Sequence, residues 1–389
     1  MISVLHPITR LIVGGAQENT MLTAALLDKE CFHAEIVSGP QTGSEGSLIE
    51  EVRDRGVPLT ILPELVREVS PLNDFLAIWK LYRMMKKGNY TLVHTHSSKA
   101  GILGRLAARL AGVPVIVHTV HGWSFHDHMS PRVRKIYVFL EKVGAANCSK
   151  MIVVTRRDID KGLREGIGSP DQYTLIRSAI PLDEFSPKKF NREAVRKELG
   201  LPVDAPVLGN VGRFSDQKNP LDWVRVAGKV GRALPESWFL LVGDGPLRPE
   251  VEALLQKEGV AGRTILTGLR RDAARMMSAM DVFLLTSMWE GLPRVIPQAM
   301  SMGLPVVATG IDGSSEAILP GETGYVCPPL DLEQLSQRCI SLLKNEEIRR
   351  KMGERGRAFA AQEFDVNVMV AQIGALYREL LAKKGILVE

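Results

Sequence analysis

At 389 residues the chain exceeds what one hydrophobic core usually serves, so two domains are expected. Its 45% hydrophobic and 24% charged content is that of a globular protein, and no run approaches the roughly 18 uninterrupted apolar residues that cross a bilayer. The net charge of +5 is small and spread over both halves, whereas nucleic-acid binders concentrate their charge and interleave it with aromatics.

The opening stretch, MISVLHPITR, has no basic segment or cleavage site and reads as a first strand. Cys31, Cys148, Cys327 and Cys339 are scattered without paired spacing, which argues for a reducing compartment and against a zinc site. A cytoplasmic protein is expected. Strand-like runs continue at 34–38, 58–62, 91–95, 114–120 and 151–155, with helical patterns between them at 18–30, 72–87 and 99–111. Strands alternating with amphipathic helices mean a parallel sheet with right-handed crossovers.

Gly14 and Gly15 follow the first strand and open a helix, where backbone N–H groups can approach a phosphate closely. The G-x-G-x-x-G fingerprint is absent, which weighs against a dehydrogenase. His94 and His96 end the fourth strand; Ser98 reads as the N-cap of the next helix, with Lys99 at its cationic, N–H-rich start. Lys99, with His96, is a candidate contact for the phosphate of a lipid-linked acceptor. The fifth strand holds His118, read as packing, and ends at His121, before Gly122. His126, Asp127 and His128 lack metal-ligand spacing and read as loop. Two segments, 72–87 with Phe75, Ile78, Trp79 and Tyr82, and 131–142 with Arg132, Arg134, Lys135, Tyr137 and Phe139, mix aromatic and basic residues as helices lying on an anionic membrane do. Ordinary packed helices with a solvated basic face share that pattern.

Residues 176–189 hold two prolines and no periodicity, as a linker does. A second series follows, with strands at 207–211, 238–242, 264–267, 282–286, 306–308 and 324–327. After its first strand, the loop GNVGRFSDQKNP carries Arg213 and Lys218. It is no Walker loop, but two cations at a strand's carboxyl end suit a diphosphate leaving group. In 281–309 a strand gives way to a loop with Glu290 and Gly291, then to a helix beginning near Pro293 or Arg294, with Pro297 in its first turn and Gly303 as its stop. A carboxylate at a strand end can bind hydroxyls, and a helix N-terminus can bind a phosphate. Together these describe a nucleotide-sugar site. Taken alone, Glu290 is equally readable as a helix-capping carboxylate.

This stretch resembles the donor-site signature of retaining GT-B glycosyltransferases of family 4, in which one Glu is followed after seven residues by another. Glu290 holds the first place and Gln298 the second; the uncharged amide can still accept from one ribose hydroxyl and donate to another. The other motifs follow the family's order along nearly the whole chain: the Gly14–Gly15 pair, His121–Gly122, Arg213 and Lys218, VGDGP with Gly243, TGLRRD with Leu269 and Arg270, GIDGSSEAI and GETGYVCP. The resemblance implies two Rossmann-like domains facing a cleft, residues 1–185 and 186–365, with a last helix from 366 crossing back to the first. It implies that Gly14, Gly15, Arg213 and Lys218 face the donor diphosphate, and that Glu290 and His121 hold the sugar. Gly243, Leu269 and Arg270 would seat the nucleoside, and Gly291, Leu292 and Arg294 would supply backbone N–H groups beside Glu290. The reaction implied moves a sugar from a nucleotide-sugar, expected to be a UDP-sugar, to a lipid-linked or polysaccharide acceptor. The anomer is retained and neither metal nor cofactor takes part; the nucleotide-sugar is a co-substrate. A nucleotide-sugar 2-epimerase, which uses the same two-domain fold, and a catalytically silent sugar-binding subunit, which Gln298 in place of the usual Glu leaves possible, stay open alternatives.

Overall fold

The computed structural model describes residues 1–41, 45–126 and 129–388, which form two compact units, Met1–Ser178 with Val366–Glu389 and Ala179–Asp365. The first unit is built on a parallel sheet of β1 (Ile2–Ile8), β2 (Phe32–Ser38), β3 (Leu59–Ile61), β4 (Leu92–His96), β5 (Val115–Val120), β6 (Lys150–Val153) and β7 (Tyr173–Leu175). Their order across the sheet is β3-β2-β1-β4-β5-β6-β7. The intervening helices are α1 (Gly15–Leu26), α2 (Ile49–Asp54), α3 (Pro71–Lys87), α4 (Ser98–Ala111), α5 (Pro131–Ala146) and α6 (Arg156–Arg164).

The central strands β4 and β5 are buried at every position, as expected of parallel strands covered on both faces. One core packs Leu5, Val93 and Ile116 of the sheet against Ala77 and Leu81 of α3 and Ala107 of α4. Under α4 and α5 the buried Arg105 donates to Glu141 at 3.0 Å and to the Gly101 carbonyl at 2.8 Å. Gly144 lets that guanidinium in, because a Cβ there would lie 2.4 Å from its Cζ.

The second unit repeats the plan with α7 (Arg192–Leu199), β8 (Val207–Val211), α8 (Pro220–Ala233), β9 (Trp238–Val242), α9 (Arg248–Lys257), β10 (Thr264–Leu266), α10 (Ala273–Met277), β11 (Val282–Leu285), α11 (Val295–Ser301), β12 (Val306–Thr309), α12 (Ser314–Ala317), β13 (Gly324–Cys327), α13 (Leu332–Lys344) and α14 (Glu346–Glu363). Its parallel sheet runs β10-β9-β8-β11-β12-β13. Trp223, 1% exposed, anchors the core of α8 and meets Phe239 edge-on. The final helix α15 (Val366–Ala382) belongs to the first unit and contacts α1. Its buried Tyr377 sits edge-on to Phe32 at 5.7 Å.

Several local readings need correction. The N-cap of α4 is Ser97, not Ser98, and Ser97 has φ +59° with no side-chain cap bond. Thr9, at the end of β1, does the capping instead: its hydroxyl accepts from the Ala100 N–H at 3.1 Å and bonds Ser97 Oγ at 2.8 Å. Helix α1 begins at Gly15 and ends at Leu26, earlier at both ends than the apolar pattern predicts. β7 is three residues, Tyr173 buried and the next two half-buried, too short to stand out in the sequence.

Candidate functional site

In both sheets the strand order reverses once, between β1 and β4 and between β8 and β11. Open parallel sheets bind ligands at the carboxyl ends of strands beside such a reversal. The ladders there are the shortest in either sheet. β1 and β4 pair only at Val4–Leu92 and Leu5–Val93, and β8 and β11 only at Leu208–Val282 and Gly209–Phe283. Side chains join the strand ends beyond. In the second unit the Asn210 amide donates to the Leu284 carbonyl at 2.6 Å; in the first the joint is made by histidines.

His6 of β1 bonds through Nδ1 to His96 Nε2 at 3.0 Å, and His96 Nδ1 bonds His121 Nε2 at 3.2 Å. His94 is held separately, by Tyr377 Oη at 2.5 Å and Thr119 Oγ1 at 2.6 Å. His118 bonds Thr95 Oγ1 at 2.9 Å. Burial pushes His6 down to about 3 and His94, His96 and His118 well below the usual imidazole range, because a charged ring would have to leave water. All four are therefore neutral at pH 7. Ring nitrogens of His6, His94 and His96 lie within 4.8 Å of one another, close enough to share an ion, yet every nitrogen of His94 and His96 already has a hydrogen-bond partner. Asp127 and His128 lie outside the described residues.

The structure thus joins His121 to His96, as two candidate site residues, and adds His6, which sequence reasoning missed. It separates Lys99 from them. The Lys99 ammonium meets Asp74 Oδ1 at 2.5 Å and the Glu68 carbonyl, with its side chain 16% exposed, so it ties α4 to α3. Gly14 precedes α1 in extended backbone, φ −178°, and Gly15 is exposed at the first helical position. The one Asp-x-Asp triplet, Asp158–Ile159–Asp160, gives no open carboxylate pair, since Asp158 is buried and accepts from Thr155 Oγ1 at 2.7 Å.

In the second unit Glu290 lies beyond β11, and its carboxylate, 8% exposed, accepts from the Lys218 ammonium. The Ser287 hydroxyl donates to the same oxygen at 2.8 Å. The Glu290 backbone N–H is held by Asp312 Oδ2 at 3.0 Å, with Asp312 at φ +33°. Glu290 is therefore not a cap: α11 is preceded by Arg294, which makes no side-chain cap bond. Pro297 falls in the first turn, as its missing N–H requires. Gly303, φ +79°, closes the helix with bonds from its own N–H to Met300 and from Leu304 to Ala299, the Schellman pattern. Gly291 accepts at its carbonyl from Gly313 at 3.0 Å. Leu292, Arg294 and Gln298 are buried, and Arg294 Nε donates to the Ala179 carbonyl at 2.9 Å.

Arg213 is exposed in the loop beyond β8, and that loop's path depends on two glycines. Gly243 (φ +140°) and Gly245 (φ +158°) let backbone meet backbone: a Cβ on the first would lie 2.0 Å from the Gly212 carbonyl oxygen, and one on the second 2.4 Å from that of Phe214. The Gly243 N–H also donates to Gly268 at 2.9 Å, which brings the Leu269–Arg270 turn alongside. Leu269 is half exposed, and Arg270 is forked onto Asp272 at 2.8 and 2.7 Å. The result is an apolar side chain, two cations and a buried carboxylate at the carboxyl edge of one sheet. Those groups match the base, diphosphate and hydroxyls of a nucleotide-sugar.

Two parallel α/β units of seven and six strands have the architecture of the GT-B fold. Residues 14–178 match the glycosyl transferase 4-like domain and residues 191–359 the glycosyl transferases group 1 domain. The Escherichia coli UDP-Gal:alpha-D-GlcNAc-diphosphoundecaprenol alpha-1,3-galactosyltransferase is 31% identical over 98% of both chains. Among solved structures, Anabaena HepE in complex with UDP and glucose superposes with a TM-score of 0.83 over 97% of this chain and 99% of its own, at 21% identity. Sucrose-phosphate synthase from Thermosynechococcus elongatus gives 0.82 over 98% and 100%, at 23% identity. The chain belongs to the family 4 glycosyltransferases and is an enzyme of glycan biosynthesis.

Proposed function

We propose that the enzyme transfers a sugar from a UDP-sugar to a polyprenyl-diphosphate-linked acceptor, with retention and without a metal ion. The observation that carries this reading is the Lys218–Glu290–Ser287 cluster beside the Arg213 loop. It supplies a buried carboxylate for sugar hydroxyls and positive charge for a departing diphosphate, where charge develops in the transition state. The donor and acceptor classes are taken from the E. coli relative, whose name specifies UDP-Gal and a GlcNAc-diphosphoundecaprenol.

In this mechanism the sugar–phosphate bond breaks first and the sugar passes through an oxocarbenium-like state. Arg213 and Lys218 stabilise the leaving diphosphate, Glu290 and His121 orient the sugar, and the departing phosphate oxygen takes the acceptor hydroxyl's proton as the new bond forms on the same face.

A membrane-borne acceptor also fits the surface of the first unit. Helix α4 contacts both α3 and α5, so the three lie side by side. α3 exposes Leu72, Phe75 and Trp79, and α5 exposes Val133, Ile136 and Phe139. Arg83 lies over the Trp79 ring at 4.8 Å. These are the parts of an interfacial anchor, and no helix among the described residues is long and apolar enough to cross a membrane.

Incubation with a panel of UDP-sugars and a prenyl-diphosphate-linked monosaccharide, with and without EDTA, tests the reading. A lengthened lipid-linked product with the donor's anomeric configuration, formed equally in EDTA, is expected. An inverted linkage, loss in EDTA, or conversion of the donor without acceptor would overturn it.

A further inference from the structure

The loop that carries Glu290 is gripped from both sides at the carboxyl edge of the second sheet. On one side the loop after β8 holds it. The Met288 N–H donates to the Gln217 carbonyl at 2.8 Å, Gln217 Nε2 to the Trp289 carbonyl at 3.0 Å, and Thr286 Oγ1 to the Asn219 carbonyl at 2.9 Å. On the other side the end of β12 and the turn beyond it do so. Thr309 Oγ1 donates to the Ser287 carbonyl at 2.7 Å, and the Gly313 N–H to the Gly291 carbonyl at 3.0 Å. One link in this second grip carries a cost. The Glu290 N–H donates to Asp312 Oδ2 at 3.0 Å, and that aspartate has φ +33°.

A positive φ crowds Cβ against the backbone and costs free energy in every residue but glycine. Glycine is the next residue, yet Gly313 has an ordinary helical φ of −70°. The Asp-Gly pair thus puts the aspartate where a glycine would relax, and the glycine where φ makes no demand for it. Backbone strain persists where the surroundings over-determine it, and the Asp312 side chain is bound to the Glu290 amide.

We infer that Asp312 is a positioning residue that fixes the Glu290 backbone, so that the Glu290 carboxylate meets the donor's sugar ring at one angle. With its N–H bound by Asp312 and its Oε1 bound by Lys218 and Ser287, Glu290 is held at both ends. The direction of its second oxygen, Oε2, is then set for a sugar hydroxyl, and such a bond forms only at the right distance and angle. A loosened Glu290 would lose its hold on the sugar and not on the nucleotide. The inference rests on the proposed role of Glu290 at the sugar; the Asp312–Glu290 link does not.

The test compares three variants of the full chain. Asp312→Gly removes the strain and the acceptor together, and Asp312→Ala removes the acceptor alone. Asp312→Asn keeps an amide oxygen that can take the same N–H in the same conformation. Amide exchange by 15N NMR reports the Glu290 N–H, and calorimetry compares UDP with whichever UDP-sugar of the panel the unmodified protein binds most tightly. Asp312→Gly should melt within about 3 °C of the unmodified protein, because the relaxed backbone offsets the lost bond. Its Glu290 amide should exchange about tenfold faster or more, and kcat should fall between about tenfold and a hundredfold. Its affinity for UDP should hold within about twofold, while the ratio of UDP-sugar to UDP affinity falls about fivefold. Asp312→Ala should lose as much activity and melt lower, and Asp312→Asn should recover most of the protection, the ratio and kcat. An unchanged kcat in Asp312→Gly would overturn the inference. So would an Asp312→Asn protein no better than Asp312→Gly, or a loss of UDP affinity in step with that of the UDP-sugar. If the exchange rates follow this pattern while the unmodified protein transfers no sugar, the Asp312–Glu290 link stands and the transfer reading falls.

Discussion

Lys218 and Glu290, 72 residues apart in the chain, form an ion pair in which the Glu290 oxygen also accepts from Ser287. The pair joins the loop after β8 to the loop after β11, across the point where the strand order reverses. Lys218 is 22% exposed at its side chain and Glu290 only 8%, so the carboxylate is the more deeply buried partner. Removing either partner costs stability, because a nearly buried charge loses its counter-charge. A double-mutant cycle of Lys218→Met and Glu290→Gln, read by urea unfolding, should give a coupling of about 1–3 kcal/mol. Turnover should fall by roughly two to three orders of magnitude in each single variant, and by no more than one further order in the double. Additive stability losses would show that the pair does not form in solution.

Arg213 is exposed on a loop whose course is set by Gly243 and Gly245. Its truncation should therefore leave the fold alone. Arg213→Ala is expected to keep the melting temperature within about 1 °C, since exposed positions seldom contribute more than about 0.5 kcal/mol. It should lower kcat by roughly a hundredfold or more through the lost charge on the leaving group. Near-normal turnover would remove Arg213 from the mechanism.

The buried histidines predict how stability depends on pH. Their folded-state pKa values lie below the unfolded value near 6.5, for His6 at about 3. The unfolded chain thus binds more protons at acid pH, and the stabilisation present above pH 6.5 is lost as pH falls below it. Each ring contributes a slope of up to about 1.4 kcal/mol per pH unit. Carboxylates such as Glu64 and Asp272, held below their usual range by Lys80 and Arg270, act only below about pH 4.5. Urea midpoints should fall steeply between pH 6.5 and 5, and His118→Asn should flatten that slope. A flat profile across this interval would contradict the burial of the cluster.

What the sequence revealed depended on whether the signal was local. Strands β8 and β9 occupy the residues their apolar runs marked, because a strand buried on both faces is a largely hydrophobic stretch whatever its neighbours. Glu290, Lys218 and His121 were visible because each lies in the stretch just beyond a strand, five, seven and one residues after its end. His6 was not: it follows an apolar run, precedes a proline, and gains meaning only when strand order sets it beside His96, 90 residues away. Asp312, 22 residues beyond Glu290, was hidden the same way. Ser287 needed no such knowledge. It lies three residues before Glu290, and a hydroxyl at that spacing was a readable partner.

The exposed faces of α3 and α5 predict association with membranes. Lys86 and Lys87 end α3, and Arg132 and Lys135 lie on α5, so attraction to anionic lipid of about 1 kcal/mol per nearby cation adds to burial of the aromatic rings. The protein should float with vesicles containing anionic phospholipid at low salt and much less with neutral ones. Phe75→Ser with Trp79→Ser should cut the bound fraction at least several-fold without loss of fold. Equal flotation of the variant would assign the exposed rings to something other than lipid.

Two glycines, both expected at the donor nucleotide, are separated by their surroundings. Gly14 has φ −178°, an extended conformation open to any residue, and a Cβ there would meet only the end of the Gln17 side chain at 2.7 Å. That contact yields by rotating a flexible group. Gly243 has φ +140°, and its Cβ would lie 2.0 Å from the Gly212 carbonyl oxygen, where backbone must move. Gly14→Ala should therefore change stability by less than about 0.5 kcal/mol. Any rise in its donor KM then reports a ligand pressing on the backbone, the one reason left for glycine there. Gly243→Ala should cost at least about 1–3 kcal/mol through its backbone conformation alone. Since the displaced segment carries Arg213, kcat should fall with it. Equal stability of the two variants would mean that the close approach of the 212 and 243 loops is absent in solution.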